Sequence, residues 1–219
     1  MKLQICSRIA FGLACVVVAG LAPRWGSAEE PVAPGTIDAA RSRVYVRVEK
    51  SGFGHTHGIA GKLKSGTIAL GAPQKAGEMI FDVAGFQADT KAAREYVGLE
   101  GETDAGTRQQ VNENMLGEKV LNATQYPTAS FVIDSAQPLA PEKAGGLERC
   151  KLSGKFTLRG VERPLEIIAN VARRREGVHL QGAFKIKQTD YGMTPFSKGF
   201  GLVGVADELT IWGDIWLAP

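Results

Sequence analysis

His55 and His57 sit two residues apart in SGFGHTHGIAG, residues 51–61, between glycines and just past an alternating apolar run. On a strand, side chains two residues apart project from the same face. Two imidazoles so placed could share a metal ion, or orient the head group of a ligand in an apolar pocket. They could also make binding respond to pH between about 5 and 8. A metal site usually takes three or four protein ligands. His179 is the one other histidine of the chain, and there is no cysteine cluster. A carboxylate could complete a site, but the sequence does not point to one. We therefore read His55 and His57 as structural or ligand-lining residues, with a metal or haem site at the same pair as the alternative. No Gly-x-Ser-x-Gly, His-Glu-x-x-His or glycine-rich phosphate loop is present, so no catalytic residue is assigned. GFGLVG, residues 199–204, does not follow a strand and open a helix, and reads as a loop at a barrel end.

The segments that must hold these histidines alternate with a period of two. RVYVRVEK places Val44, Val46 and Val48 on one face and Arg43, Tyr45 and Arg47 on the other. GKLKSGTIAL, EMIFDVAGFQAD, TASFVIDSA, CKLSGKFTLRG, RPLEIIANVARR, GVHLQGAFKIKQ and ADELTIWGDIWL repeat the pattern. Eight such runs, most separated by Gly, Pro, Asn or Asp turns, predict an antiparallel sandwich or barrel. Gly52, Gly54, Gly58 and Gly61 read as kinks or bulges near a rim.

One long interruption separates FQADT from ASFVI. Within it, Thr107 and Gln110 have the spacing of a capping box. Val111, Met115 and Leu116 follow at helical spacing, and Gly117 fits a stop. These predict a helix over 107–116 and a shorter one over 92–99. Trp212 and Trp216 share a strand face and are expected to pack against a helix or a second copy rather than on a ligand.

The first 28 residues read as a cleavable signal peptide: basic MKLQICSR, apolar Ile9–Ala22, then Gly26 and Ala28 at the small-residue positions. The 14-residue apolar stretch is short of the roughly 20 needed to span a bilayer. Residues 29–36 form a short N-terminal segment and 37–219 one barrel domain. Lys2, Arg8 and Arg24 leave with the signal, so 26 − 3 = 23 basic residues remain against 23 acidic ones. That balance excludes the net-basic footprint of a nucleic-acid binder. ARRRE, residues 172–176, is expected in a solvated hairpin turn. Cys6 and Cys15 leave as well, so Cys150 has no internal disulfide partner and reads as structural.

Five motifs in order resemble the YceI-like family of exported lipid-binding proteins. They are IDAARSRVYVRV at 37–48, VNENMLGEKVLNATQYPTASFVIDS at 111–135, LSGKFTLRGVERPLEI at 152–167, FKIKQTDYGM at 184–193 and VADELTIWGDIWL at 205–217. The resemblance implies an all-β, eight-stranded antiparallel lipocalin-like barrel with one or two short helices in the long insertion. It implies a lumen for an isoprenoid or similar amphiphile, and it allows a homodimer. Two departures stand out: the 89–107 stretch is longer than usual, and GHTHG replaces a single His in a His-Leu-Gly context.

The expected function is a non-enzymatic periplasmic carrier for an amphiphilic lipid, such as an isoprenoid quinone or a polyprenyl chain. It would need no cofactor beyond a bound isoprenoid or fatty-acid-type lipid, and would bind no nucleic acid. The residues expected at the lumen or its rim are Phe53, His55, His57, Phe81, Met115, Tyr191, Phe196 and Phe200. The alternative is a His-dependent metal- or haem-binding envelope protein with a redox role.

Overall fold

The structure is a computed structural model that describes residues 35–219. The proposed signal peptide lies outside the described residues.

Ten strands and two helices follow in chain order: β1 Arg43–Gly52, β2 His57–Ile68, β3 Gly77–Asp82, β4 Gln87–Ala88, α1 Lys91–Tyr96, α2 Ala105–Leu116, β5 Thr128–Leu139, β6 Glu148–Leu158, β7 Val161–Arg174, β8 Gly177–Lys187, β9 Ser197–Lys198 and β10 Val203–Leu217. Eight of them form a closed antiparallel barrel in the order β1-β10-β8-β7-β6-β5-β3-β2, shut by the β1–β2 pairing. Closure removes the free edges that a sheet would otherwise expose. The two-residue β4 and β9 add short pairings on β2 and β10.

Alternation sets the wall. Val44, Val46 and Val48 pair with Gly61, Ile59 and His57 of β2, and directly opposed residues share a face. That face is the lumen. The parity is not continuous along every strand, because register shifts fall between Val48 and Lys50, Leu63 and Ser65, and Ile133 and Ser135. A bulge adds one residue and re-aims everything after it. EMIFDVAGFQAD, read as one run, breaks after Asp82 into a 3-10 turn over Val83–Gly85 before β4 resumes.

The two ends of the barrel differ. At one end the segment before β1 folds back, with Thr36 bridged to Thr67 and Ile37 to Leu217. The Ile37 side chain reaches the space above Gly66 on the lumen face, so it plugs this end. The other end carries the β1–β2 turn, the helical insertion and the β9–β10 hairpin. ARRRE lies at the β7–β8 turn, as expected.

Both helices form. The N-cap of α2 is Asp104, whose carboxylate accepts the Thr107 N–H at 2.9 Å, so Thr107 is inside the helix and not its cap. Gly117 is the C-cap but has extended backbone, so the stop there does not use a left-handed glycine. Helix α1 packs on the outer wall. Tyr96 stacks on Tyr45 with ring centroids 3.8 Å apart, and Gly58 leaves the room through which Ala93 and Val97 approach β2. Trp216 faces outward beside His179 and Arg41. It stacks on His179 at 4.2 Å, with the Arg41 guanidinium 3.7 Å from its ring. Cys150 is a buried free thiol whose pKa burial raises.

Candidate ligand-binding site

The barrel is not filled. Its lumen holds a cavity of about 510 Å³, in the range of small-molecule sites. Val44, Val46, Ile59, Phe131, Leu152 and Ile211 are among the buried wall residues, each contributed by alternation on its strand. Phe86 enters from the turn before β4 and lies against Gly61. Any side chain at position 61 would collide with its ring, so that glycine is what lets Phe86 sit inside the wall. Phe156 stands at the centre of an aromatic cluster, edge-on to Phe81, Phe184 and Tyr191 at 6.2, 6.1 and 5.7 Å.

The mouth lies at the helical end. His55, Gln110, Asn114 and Lys198 are exposed and yet line the cavity, so the cavity meets solvent between the β1–β2 turn, α2 and the β9–β10 hairpin. Val111 and Met115 of α2 face the cavity, but no residue of this helix is fully buried. On the barrel side, the Asn112 side-chain oxygen accepts the Ala88 N–H at 2.7 Å.

Besides the buried Gln188, a His–carboxylate pair brings polar atoms to this apolar space. His57 Nδ1 lies 2.7 Å from Asp89 Oδ2. The other carboxylate oxygen accepts the Gly58 N–H at 3.0 Å and an Arg94 N–H at 3.3 Å. The Asp89 side chain has no solvent exposure. Burial alone would raise its pKa, but the His57 hydrogen bond and the Gly58 N–H outweigh it and hold the carboxyl below the ordinary range. Asp89 adopts φ +50°, a left-handed conformation uncommon outside glycine and asparagine-like residues, which aims both oxygens back at β2. With Nδ1–H donated to the carboxylate, a neutral His57 presents Nε2 as an acceptor. Among the described residues Nε2 has no hydrogen-bond partner.

A family model described as YceI-like domain matches residues 36–215. The chain belongs to the YceI-like family. The YceI-like barrel is also similar to solved structures at low identity. One is Burkholderia cenocepacia BcnA, with a TM-score of 0.51 and 21% identity, covering 84% of this chain and 99% of that one. Another is a polyisoprenoid binding domain from Saccharophagus degradans, implicated in plant cell wall breakdown, with a TM-score of 0.52 and 14% identity, covering 85% and 100%. No curated protein matches the chain.

The YceI-like barrel sorts the eight residues expected at the site. His57, Phe81, Met115 and Phe196 line the cavity, and so does His55. His55 is in the β1–β2 turn and not on a strand, so the shared strand face expected for the two histidines does not form. Among the described residues no group of three or more His, Cys, Asp and Glu side chains is placed to hold a metal ion. Tyr191 does not line the cavity. It is buried in the turn after β8, edge-on to the cavity-lining Phe156, and burial raises the pKa of its phenol. Phe53 and Phe200 do not line it either. They sit on the outside of the mouth, 82% and 111% exposed, because both lie on turns that leave the sheet.

Asp89 and Arg94 escaped the sequence reading. Asp89 stood there as the edge of a long insertion, and pairing it with a histidine 32 residues away needs the β4–α1 turn geometry. The one local signal was the Asp-Thr step before a helix, where Thr90 does cap α1.

Proposed function

We infer that this protein carries one amphiphilic lipid, an isoprenoid quinone or a polyprenyl chain, with its apolar chain in the barrel and its polar end at His57. The carrying observation is the cavity itself. It is a closed-wall apolar space with one plugged end, one open end, and a part-buried His–carboxylate pair at the open one. Each CH₂ transferred from water to such a wall contributes about 0.8 kcal/mol, so few polar contacts suffice for tight binding. The polyisoprenoid binding described for the Saccharophagus domain supports the same ligand class.

The protein acts by binding and not by catalysis, and it works in the periplasm, to which residues 1–28 would export it. Organic extraction of tag-free protein, with mass spectrometry of the extract and metal analysis of the same sample, tests this. Near-stoichiometric prenyl or quinone lipid is expected. Stoichiometric metal or haem with no lipid would transfer the role to His55 and His57 as ligands and make the barrel their scaffold.

A further inference from the structure

The described residues expose eight large apolar side chains, and five of them, Phe53, Phe196, Phe200, Leu202 and Val203, cluster at the cavity mouth. The remaining three are dispersed, on β5, on β7 and in the β5–β6 loop. The five belong to two turns held as a unit, since the Phe53 N–H donates to the Leu202 carbonyl at 2.8 Å. Phe200 is fully exposed and also adopts φ +56°. A bulky side chain there is strained and gains no burial in return. Strain without packing marks a residue displayed for something outside the molecule.

Charge narrows what that is. Residues 50–56 and 194–205 contain Lys50 and Lys198 and no Asp or Glu; Glu49, whose carboxylate accepts from the Thr56 hydroxyl at 3.0 Å, is offset by its pairing with Arg47. A second copy seated symmetrically on this rim would set those cations against their own counterparts, since a two-fold contact is self-complementary. An anionic bilayer offers what both features need: head groups for the cations and an apolar interior for the rings.

We propose that this rim docks on the surface of an anionic phospholipid bilayer, with Phe53 and Phe200 inserted among the lipids and the mouth facing the membrane. The proposal rests on the lipid-carrier reading for its purpose, but not for its test. A ligand chain then passes between bilayer and lumen without crossing water.

The test is co-sedimentation of the purified protein, its N-terminus defined by mass, with vesicles of phosphatidylcholine alone or with about one third phosphatidylglycerol. Wild type and a Phe53→Ser/Phe200→Ser double variant are compared, and the lipid content of both is measured by extraction. Both positions are exposed, so the variant is expected to keep its fold, checked by its thermal midpoint. Wild-type protein should sediment with the anionic vesicles, more weakly with the neutral ones or in high salt. The double variant should bind at least tenfold more weakly while retaining its lipid. Equal sedimentation of the two proteins, or none, overturns docking. A concentration-dependent dimer in analytical ultracentrifugation that the double variant abolishes also overturns it, in favour of a second copy. Vesicle binding by protein with no extractable lipid leaves docking standing and defeats the carrier reading. Lipid-loaded protein that ignores vesicles does the reverse.

Discussion

His57 on β2 and Asp89 after β4 meet at 2.7 Å, where the barrel wall and the start of the long insertion meet beside the cavity. The pair performs two tasks. It fixes the insertion to the strand through the Gly58 N–H and Arg94, and it turns a ring nitrogen of His57 towards the lumen. The order of the mouth and the polarity of the site thus depend on one carboxylate.

Replacing Asp89 with Ala should be costly. It strands the Gly58 N–H, Arg94 and His57 at once, and breaking a buried ion pair from one side typically costs about 3–5 kcal/mol. Chemical denaturation should show that loss, with Asp89→Asn milder because one acceptor oxygen survives.

The same group sets an acid limit. Its carboxyl is held below the ordinary aspartate value of 3.8, so its contribution is fully present above that value and is lost as pH falls through the depressed one. Stability measured from pH 6 to pH 2 should fall more steeply in wild type than in Asp89→Asn. Parallel curves would remove Asp89 from this role.

The barrel was legible in the sequence because its physics is local. Each of the eight strands shows period two, and most turns are marked by Gly, Pro, Asn or Asp. The cavity-lining set was less legible, because register shifts at Lys50, Ser65 and Ser135 re-aim side chains after positions that the alternation alone does not reveal. The cap of α2 went to Asp104 and not Thr107, although Asp three residues before a donor N–H is itself a strong cap signal. The His57–Asp89 pair was hidden for a different reason. It depends on a left-handed residue in an insertion whose path is set by α1 docking through Tyr96 and Gly58.

His57 should tune the head group more than the chain. Replacing it with Ala removes one acceptor, a loss of about 1.4 kcal/mol, or roughly tenfold in affinity, for a ligand whose head group donates a hydrogen bond. A ligand with the same chain and no polar end should bind wild type and variant alike. Fluorescence-displacement titrations would measure both.

Helix α2 is expected to be the part of the mouth that opens. None of its residues is fully buried; Asn112 bonds Ala88 on the barrel side, and the Met115 and Leu116 carbonyls accept from Leu121 and Ala123 at its C-terminal end. Asn112→Ala leaves a buried N–H unpaired at a cost of about 1–3 kcal/mol. Hydrogen exchange in α2 should accelerate, and ligand dissociation with it, while β5 to β8 keep their protection.

The most direct test is to fill the lumen. Gly213 lies on the cavity wall, and a Cβ there would meet only Ile215, at an ordinary 3.5 Å, with no left-handed backbone to strain. Gly213→Leu should therefore fold and project into the ligand's space. Side-by-side extraction of wild type and Gly213→Leu, with folding checked by thermal melting, reads the outcome. The account predicts lipid on the wild type and little or none on the folded variant. Equal lipid on both, or none on the wild type, would contradict a lipid held in the barrel.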